Sequence, residues 1–557
     1  MTESNTDTHK AHAAALDPLF QPLNRSDAPG LVVGVARHGQ ALYRRGFGLA
    51  SIEHGVVNTP WTRMRIGSTS KHITCLAVLL LAEEGKLDVD AGIRTYLPEL
   101  PALKAQPTLR QLMTHTGGYR CHGDVAGIAN GLGVMPKGAG LAALVRQSEA
   151  NFAPGEKMMY NNGGYHLLSL VIRKVSGLPF EQFLKERIFV PLRMVDTASV
   201  PSDFEIHAGV ATMHVPRPAS EGGGWRRGIY PSEEMLGSGA IVSTIDDMLR
   251  WLAHLRSPEK KVGSAESWRQ MLTLTRLRNG IVNPYALGLM KHDYRGLEVV
   301  HHAGGVIGGT CQMLTVPSHA LDIVMMVNGA PANPMELANR IIDVLLGDAL
   351  HHAPPGKAAA ARFRPMVGTR YHGPASGLVL GFAEAGEERL GLSFLNGEPV
   401  PLRDEGDSLR IGFEDMAMGP LVLRTAQLAA EGAAPPSIDF SEAGHVERFE
   451  RLPDTPPAPS DAGAPLVGRY RSHDMDAEAR VSFEGEQLYL TLFGAHGSNR
   501  IALRPFSHDV FGWEERESAL PHKERGVLNV ERRGGEVAGF RMNTSRTRRM
   551  WFERTGD

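Results

Sequence analysis

"RIGSTSKHITCLAVLLLAEEGKLD", residues Arg65 to Asp88, places a serine and a lysine three positions apart at the head of an apolar helix. The helix is expected from about Ser68, and Gly85 is a good stop for it. Residues three apart on a helix share a face, so Lys71 can reach Ser68. A serine hydroxyl is a poor nucleophile until a neighbouring base takes its proton. A lysine amine can do so if partial burial keeps it neutral. A helix cap followed by a surface lysine gives the same letters, so the pair acquires meaning only from the rest of the chain.

Outward from this helix, residues 30–50, "GLVVGVARHGQALYRRGFGLA", read as two strands joined by a turn at Arg37–Gln40. "NNGGYHLLSLVIRKVSG" has apolar residues at helical spacing and ends on Gly177. "VSTIDDMLRWLAHL" is a third helix, with Ser243 or Thr244 as N-cap and acids in its first turn. Strands return in "LEVVHHAGG", "TCQMLTV" and "LDIVMMVNG", and "PMELANRIIDVLL" closes the unit near residue 347. Strands at both ends with helices between predict an α/β sandwich whose sheet joins the two ends, antiparallel rather than doubly wound.

After "HHAPPGKAAAARFRP" helical periodicity fades and short alternating segments take over. A Pro-rich stretch, Leu452 to Pro465, separates two segments that open alike, "MVGTRYHG" and "LVGRYRSH", and end alike, "VERFERL" and "TRRMWFER". This weak repeat predicts two small antiparallel β-barrel domains. The expected division is a catalytic domain over 1–350 and β-domains over 365–453 and 466–557.

Composition narrows the function. Lys+Arg 59 against Asp+Glu 61 gives a net charge of -2 with no basic stripe, so nucleic acid is not an expected partner. No apolar run reaches the roughly 18 residues that span a bilayer, and no secretory signal opens the chain. Three widely spaced cysteines read as reduced thiols in a cytoplasmic protein. The 23 histidines lack metal-ligand spacing, so neither a metal nor a cofactor is expected. G-x-S-x-G, H-E-x-x-H and a Walker A loop are absent.

Two further elements join Ser68 and Lys71. Tyr160–Asn161–Asn162 is the one Y-x-N in the chain; a phenol beside a lysine can shuttle a proton, and the Asn162 amide can bond both the lysine and a substrate carbonyl. Of the three H-x-G triplets, at His115, His207 and His302, only the last sits on a strand running into a glycine-rich turn. There Gly304 and Gly305 let a substrate backbone lie along the strand, and the N–H of Gly305 can join that of Ser68 as an oxyanion hole. A second S-x-x-K, Ser257 to Lys260, contains a proline and leads to nothing catalytic.

Ser68-Thr69-Ser70-Lys71, Tyr160-Asn161-Asn162 and His302-Ala303-Gly304, in this order, resemble the three motifs of the serine β-lactamase and penicillin-recognising hydrolases. "PTLRQLMTHTGGY" and "GSGAIVSTIDDMLRWL" look like family segments too. With two β-domains behind it, the chain resembles the bacterial D-aminopeptidases over nearly its whole length. The resemblance implies a β-lactamase-like sandwich, two eight-stranded barrels, a homodimer, and release of N-terminal D-amino acids from short peptides and amides. Ser68, Lys71, Tyr160, Asn162 and His302 are then the catalytic set, and Gly304 and Gly305 bind substrate. A loop of the last barrel is implied to enter the site with an acid for the substrate's ammonium. Leu520 stands at the acid's position; Glu514, Glu515 and Glu517 lie close by, with Glu517 favoured. The alternatives are a related esterase, β-lactamase, D-D-peptidase or D-amino-acid amidase with relaxed amine specificity, and a catalytically inert binder of cell-wall peptides.

Overall fold

The computed structural model describes residues 13–131, 133–229, 233–353, 356–386, 388–411, 421–428, 432–515 and 525–556. Its first part is built on a six-stranded antiparallel sheet: β1 (Leu31–Arg37), β2 (Gln40–Phe47), β3 (Met290–Tyr294), β4 (Leu297–Val306), β5 (Gly309–Val316) and β6 (Leu321–Val327), in the order β3-β4-β5-β6-β1-β2. β1 pairs with β6 from Leu31 opposite Val327 to Arg37 opposite Leu321, so the sheet joins early and late chain.

Successive side chains of a strand point to opposite faces, and here both faces are covered. Val32, Met313, Val324 and Met326 pack with the helices α1 (Lys71–Glu83), α2 (Asn162–Ser176) and α3 (Ile245–Arg256). Their neighbours Leu31, Val33, Leu314, Ile323 and Met325 pack with α4 (Pro334–Leu346) and with Leu16 and Phe20. This explains why β6, "LDIVMMV", is buried at every position instead of alternating. α1 is buried from Lys71 to Leu81, which is why it is apolar all round. α2 ends on Gly177 at φ +73°, and α3 is capped by Thr244, whose hydroxyl accepts from the Asp247 N–H.

One local expectation is corrected. The α-helix starts at Lys71, and Gly67–Ser70 forms a 3-10 turn before it. Side chains three apart eclipse one another in a 3-10 turn, which brings Ser68 over Lys71 more directly than an α-helix does.

Two all-β bodies follow. In the first, a ten-stranded antiparallel sheet curls around Tyr371, Leu380, Phe382, Leu392, Phe440 and Phe449. Its two edge strands, Gly356–Lys357 and Val400–Pro401, are two residues long and do not pair with each other among the described residues. The second is a closed barrel of eight strands from Gly468–Ser472 to Met550–Gly556. The first therefore departs from the eight strands that the resemblance implies. The similar ends of the two segments have one structural use: in each body the strand that opens the repeated segment pairs with the one that closes it, Tyr371 with Arg451 and Tyr470 with Arg554.

The closed barrel sits on the helix His122–Asn130. Asn130 Oδ1 accepts from the His496 N–H at 2.7 Å, and Asn499 Nδ2 donates to the Ile128 carbonyl at 3.1 Å. Among the described residues no helix is long and apolar enough to cross a membrane, and no group of His, Cys, Asp and Glu side chains could hold a metal ion.

Candidate active site

The site forms where the 3-10 turn Gly67–Ser70, the start of α2 and the end of β4 meet. Gly67 takes φ +52°, and a Cβ there would lie 2.8 Å from Gly305 N and O. A Cβ on Gly304 would come within 1.9 Å of the Ile66 carbonyl oxygen. The glycines of the third motif thus let β4 press against the turn that carries Ser68. Thr69 tightens the contact by donating to the His302 carbonyl at 3.3 Å. A Cβ on Gly305 would meet nothing within 4 Å among the described residues.

Ser68 is half-buried and Lys71 fully buried. Lys71 Nζ lies 3.0 Å from Ser68 Oγ, 2.9 Å from Asn162 Oδ1 and 2.8 Å from the Ser238 carbonyl oxygen. Burial first, then the Arg546 guanidinium, holds this amine well below the ordinary lysine range. A neutral amine has two N–H bonds and one lone pair. The Ser238 carbonyl and Asn162 Oδ1 can only accept, so they take both N–H bonds and leave the lone pair for the Ser68 hydroxyl.

Tyr160 lies over this group, with Lys71 Nζ 4.8 Å from its ring centroid. Burial pushes its phenol well above the usual range. The Ser68 hydroxyl is close enough to oppose that shift, although among the described residues Tyr160 Oη has no partner in hydrogen-bond geometry. Tyr160 is therefore a neutral donor. Asn162 stands at the start of α2, where the Asn161 side chain caps the helix by accepting from the Gly164 N–H at 3.3 Å.

His302 is placed less openly than its motif suggests. Its Nδ1–H donates to the Ala303 carbonyl at 2.5 Å, and its Nε2 accepts from Tyr285 Oη at 2.8 Å. Burial first of all pushes the imidazole down to about 3. His302 is a neutral side chain inside the wall of the site, not a cation facing substrate.

Sequence reasoning missed four contributors. The Ser238 carbonyl, in "GSGAI", fixes Lys71. His115, set aside among the H-x-G triplets, has its ring 4.2 Å from that of Tyr160 and accepts from the Asn161 N–H at 3.1 Å. Its φ of +58°, unusual for a residue with a side chain, turns the ring into the site. Tyr285 bonds His302 and meets the Tyr160 ring edge-on at 6.3 Å. Arg546, from the last barrel, places Cζ 5.2 Å from the Tyr160 ring centroid.

The hairpin bearing Arg546 is held by its backbone. Asn151 donates from Nδ2 to the Arg546 carbonyl at 3.0 Å and accepts at Oδ1 from the Arg548 N–H at 2.8 Å. The Cys121 N–H donates to Thr547 Oγ1 at 3.1 Å, and Thr544 Oγ1 donates to Asp124 at 2.5 Å. The acidic loop expected at the site, Trp513–Ser518, passes beyond the described residues after Glu515, and so do Glu517 and Leu520. The two described glutamates are engaged in the barrel: Glu515 Oε1 accepts from Asn499 Nδ2 at 2.8 Å, and Glu514 lies 3.4 Å from Arg525.

The Beta-lactamase family model matches residues 16–347. A D-aminopeptidase of Cereibacter sphaeroides is 28% identical over 555 residues, which is 97% of this chain and 99% of the relative. That of Brucella ovis is 26% identical over 481 residues, 85% of this chain and 84% of the relative. Among solved structures, the octameric penicillin-binding protein homologue from Pyrococcus abyssi superposes with a TM-score of 0.51 at 18% identity, over 98% of this chain and 99% of that one. This last is a likeness of fold.

Proposed function

The chain belongs to the beta-lactamase family, and on that premise we propose that it is a serine hydrolase releasing N-terminal D-amino acids from short peptides and amides, with Ser68 as nucleophile. The D-specificity is drawn from the relatives named D-aminopeptidase. The observation that carries the chemistry is the buried Lys71 amine, its N–H bonds directed to two carbonyl oxygens and Ser68 Oγ 3.0 Å away.

In the acylation step, Ser68 Oγ attacks the amide carbonyl while its proton passes to Lys71 Nζ. The tetrahedral intermediate then expels the amine, which takes a proton from the Lys71–Tyr160 pair, and an ester on Ser68 remains. Water attacks that ester with Lys71 again accepting the proton, Ser68 recovers its hydrogen, and the D-amino acid leaves. Tyr160, kept a phenol by burial, is suited to give a proton rather than to take the first one. The N–H groups of Ser68 and Gly305 are assigned to the oxyanion, which is supported by the open space at Gly305 beside the turn of Ser68. Asn162 orients Lys71 and can offer its Nδ2 to the substrate. His302 supports the wall through Tyr285.

A homodimer in the cytoplasm is part of the reading; free, buried Cys75, Cys121 and Cys311 suit a reducing compartment. Light scattering after gel filtration tests the dimer against larger assemblies. The function is tested by hydrolysis of paired D- and L-alanine amides, with and without an N-acetyl group. Faster release from the free D-amide, together with an acyl adduct on Ser68 in mass spectra, is the expected result. Equal rates for D and L, or an adduct on another residue, would refute it.

A further inference from the structure

We propose that a cavity at the junction of the catalytic part and the two β-bodies binds a small zwitterion, an amino acid or short peptide with free ends. Its carboxylate pairs with Arg548 and its ammonium with Glu442. This is a second site, and it stands whether or not the hydrolase reading above does.

The first argument is place. The cavity has a volume of about 780 Å³, within the range of sites that take small molecules. All three parts of the chain line it: Lys157 and Met159 from the catalytic part, Ser376 and Glu442 from the first β-body, and Arg548 from the last barrel. Ser68, Lys71, Tyr160 and Asn162 are not among the described residues that line it, so it is not the cleft of the nucleophile.

The second argument is charge. A buried polar group is as a rule hydrogen-bonded, and a buried charge is costly without a partner. Two side chains of opposite sign break that rule, and both line this cavity. Arg548 is 6% exposed, and neither Nη1 nor Nη2 has a hydrogen-bond partner among the described residues. Its Cζ lies 5.5 Å from the Phe394 ring centroid, a contact with a ring face that leaves the N–H fork unused. Glu442 is also 6% exposed. Its Oε2 accepts from Lys157 Nζ at 3.2 Å, while Oε1 has no partner among the described residues. The two groups feel each other without pairing: burial pushes the Arg548 guanidinium down to about 10, and Glu442 opposes that shift. Other charged side chains of the wall are engaged. Glu447 Oε1 accepts from the N–H groups of Ala375 and Ser376, both at 3.0 Å, and Glu156 Oε2 from that of Ala153 at 3.0 Å. Arg549 Nη2 donates to the Ala150 carbonyl at 3.1 Å.

The third argument is selectivity. A lone anion would serve Arg548 and leave Glu442 Oε1 as it is, and a lone cation would do the reverse. A zwitterion serves both and adds no net charge to a buried place. The guanidinium fork matches a carboxylate. Its stem is fixed, since the Arg548 N–H donates to Asn151 Oδ1 at 2.8 Å and its carbonyl accepts from Arg120 Nε at 3.0 Å.

Calorimetry on the full chain tests this with glycine, β-alanine, γ-aminobutyrate and ε-aminohexanoate, which have no amide to hydrolyse. Acetate and ethylamine are the single-charge controls. At least one zwitterion should bind, with each control weaker by about tenfold or more. A preference for glycine would assign an α-amino acid, and a preference for the longer probes a short peptide. Arg548→Met and Glu442→Gln should each weaken binding by about ten- to a hundredfold. Crystals of the parent grown with the tightest probe should show its carboxylate on Arg548 and its ammonium on Glu442, a readout that needs no variant to fold. Acetate binding as well as the zwitterions, affinity unchanged in both variants, a probe seated beside Ser68, or water alone in the cavity would each overturn the inference.

Discussion

Arg120 donates through Nη1 to Asp474 at 2.5 Å, across 354 positions of sequence, and both side chains are buried. The same guanidinium donates to the carbonyls of Arg548 at 3.0 Å and Arg549 at 2.9 Å. One side chain thus ties the last barrel to the catalytic part at two places, one of them the hairpin of Arg546. Arg120→Ala leaves a buried carboxylate and two carbonyls without it, which costs about 3–5 kcal/mol. Denaturant unfolding should report that loss. KM should rise more than kcat falls if the hairpin loosens while Ser68 and Lys71 stay in place.

Gly304 and Gly305 should respond differently to one methyl group. A Cβ at 304 meets the Ile66 carbonyl at 1.9 Å, and Ile66 is itself held by its N–H to Ile241. Gly304→Ala should lower the melting temperature and reduce kcat/KM by at least about a hundredfold, because the Ser68 turn must shift. Gly305→Ala meets nothing within 4 Å, so it should melt as the parent does and lose activity only through substrate approach.

Lys71 gives a pH dependence whose sign follows from its neutral folded state. The unfolded amine titrates near the ordinary 10.5, and the folded one well below it. Between those values the unfolded chain binds a proton that the folded chain does not. The stability linked to this group is therefore fully present above pH 10.5 and lost as pH falls toward the folded value. Lys71→Met should be more stable than the parent at pH 7, by about 1–2 kcal/mol, while losing turnover. The gap should narrow when denaturation midpoints are measured near pH 10.

Acid acts through buried histidines. His72, His115, His122, His166, His301 and His302 are all held below their ordinary 6.5, by burial first. Below pH 6.5 the unfolded chain takes protons that the folded one refuses, so stability falls as pH drops below 6.5. Melting curves from pH 7 to pH 4 should show a steady decline. A flat profile would place these rings in contact with water.

Ser68→Ala should lose several orders of magnitude in turnover, since only binding and the oxyanion hole remain. Lys71→Ala and Tyr160→Phe should each be severe and together scarcely worse than the more damaging of the two, as expected for groups sharing one proton path. Additive losses in log rate would separate them.

The grouping of Ser68, Lys71, Tyr160 and Asn162 was legible because each residue lies within a short motif on a recognisable element. The sheet was legible because short connections between apolar runs leave few alternatives to antiparallel neighbours. His302 was legible as part of the site but not in its orientation: β4 is covered on both faces, so alternation does not tell an inward histidine from a substrate-facing one. His115 was passed over for lacking a strand; the positive φ that turns it inward leaves no mark beyond the glycines that follow it. Edge strands of two residues carry no periodicity, so the count in the first β-body was beyond reach. Arg546 had no local signature at all. The docking made by Arg120, Asn151 and Thr547 is what brings "SRTRRM" to the site.

That docking orders events in time. A ribosome emits Ser68 and Lys71 well before the hairpin of Arg546. A nascent chain can then assemble its nucleophile and base while one wall of the cleft has yet to be made. Until the barrel closes and seats, the wall that this hairpin builds beside Tyr160 is missing, and the cleft is completed only when the barrel has been made.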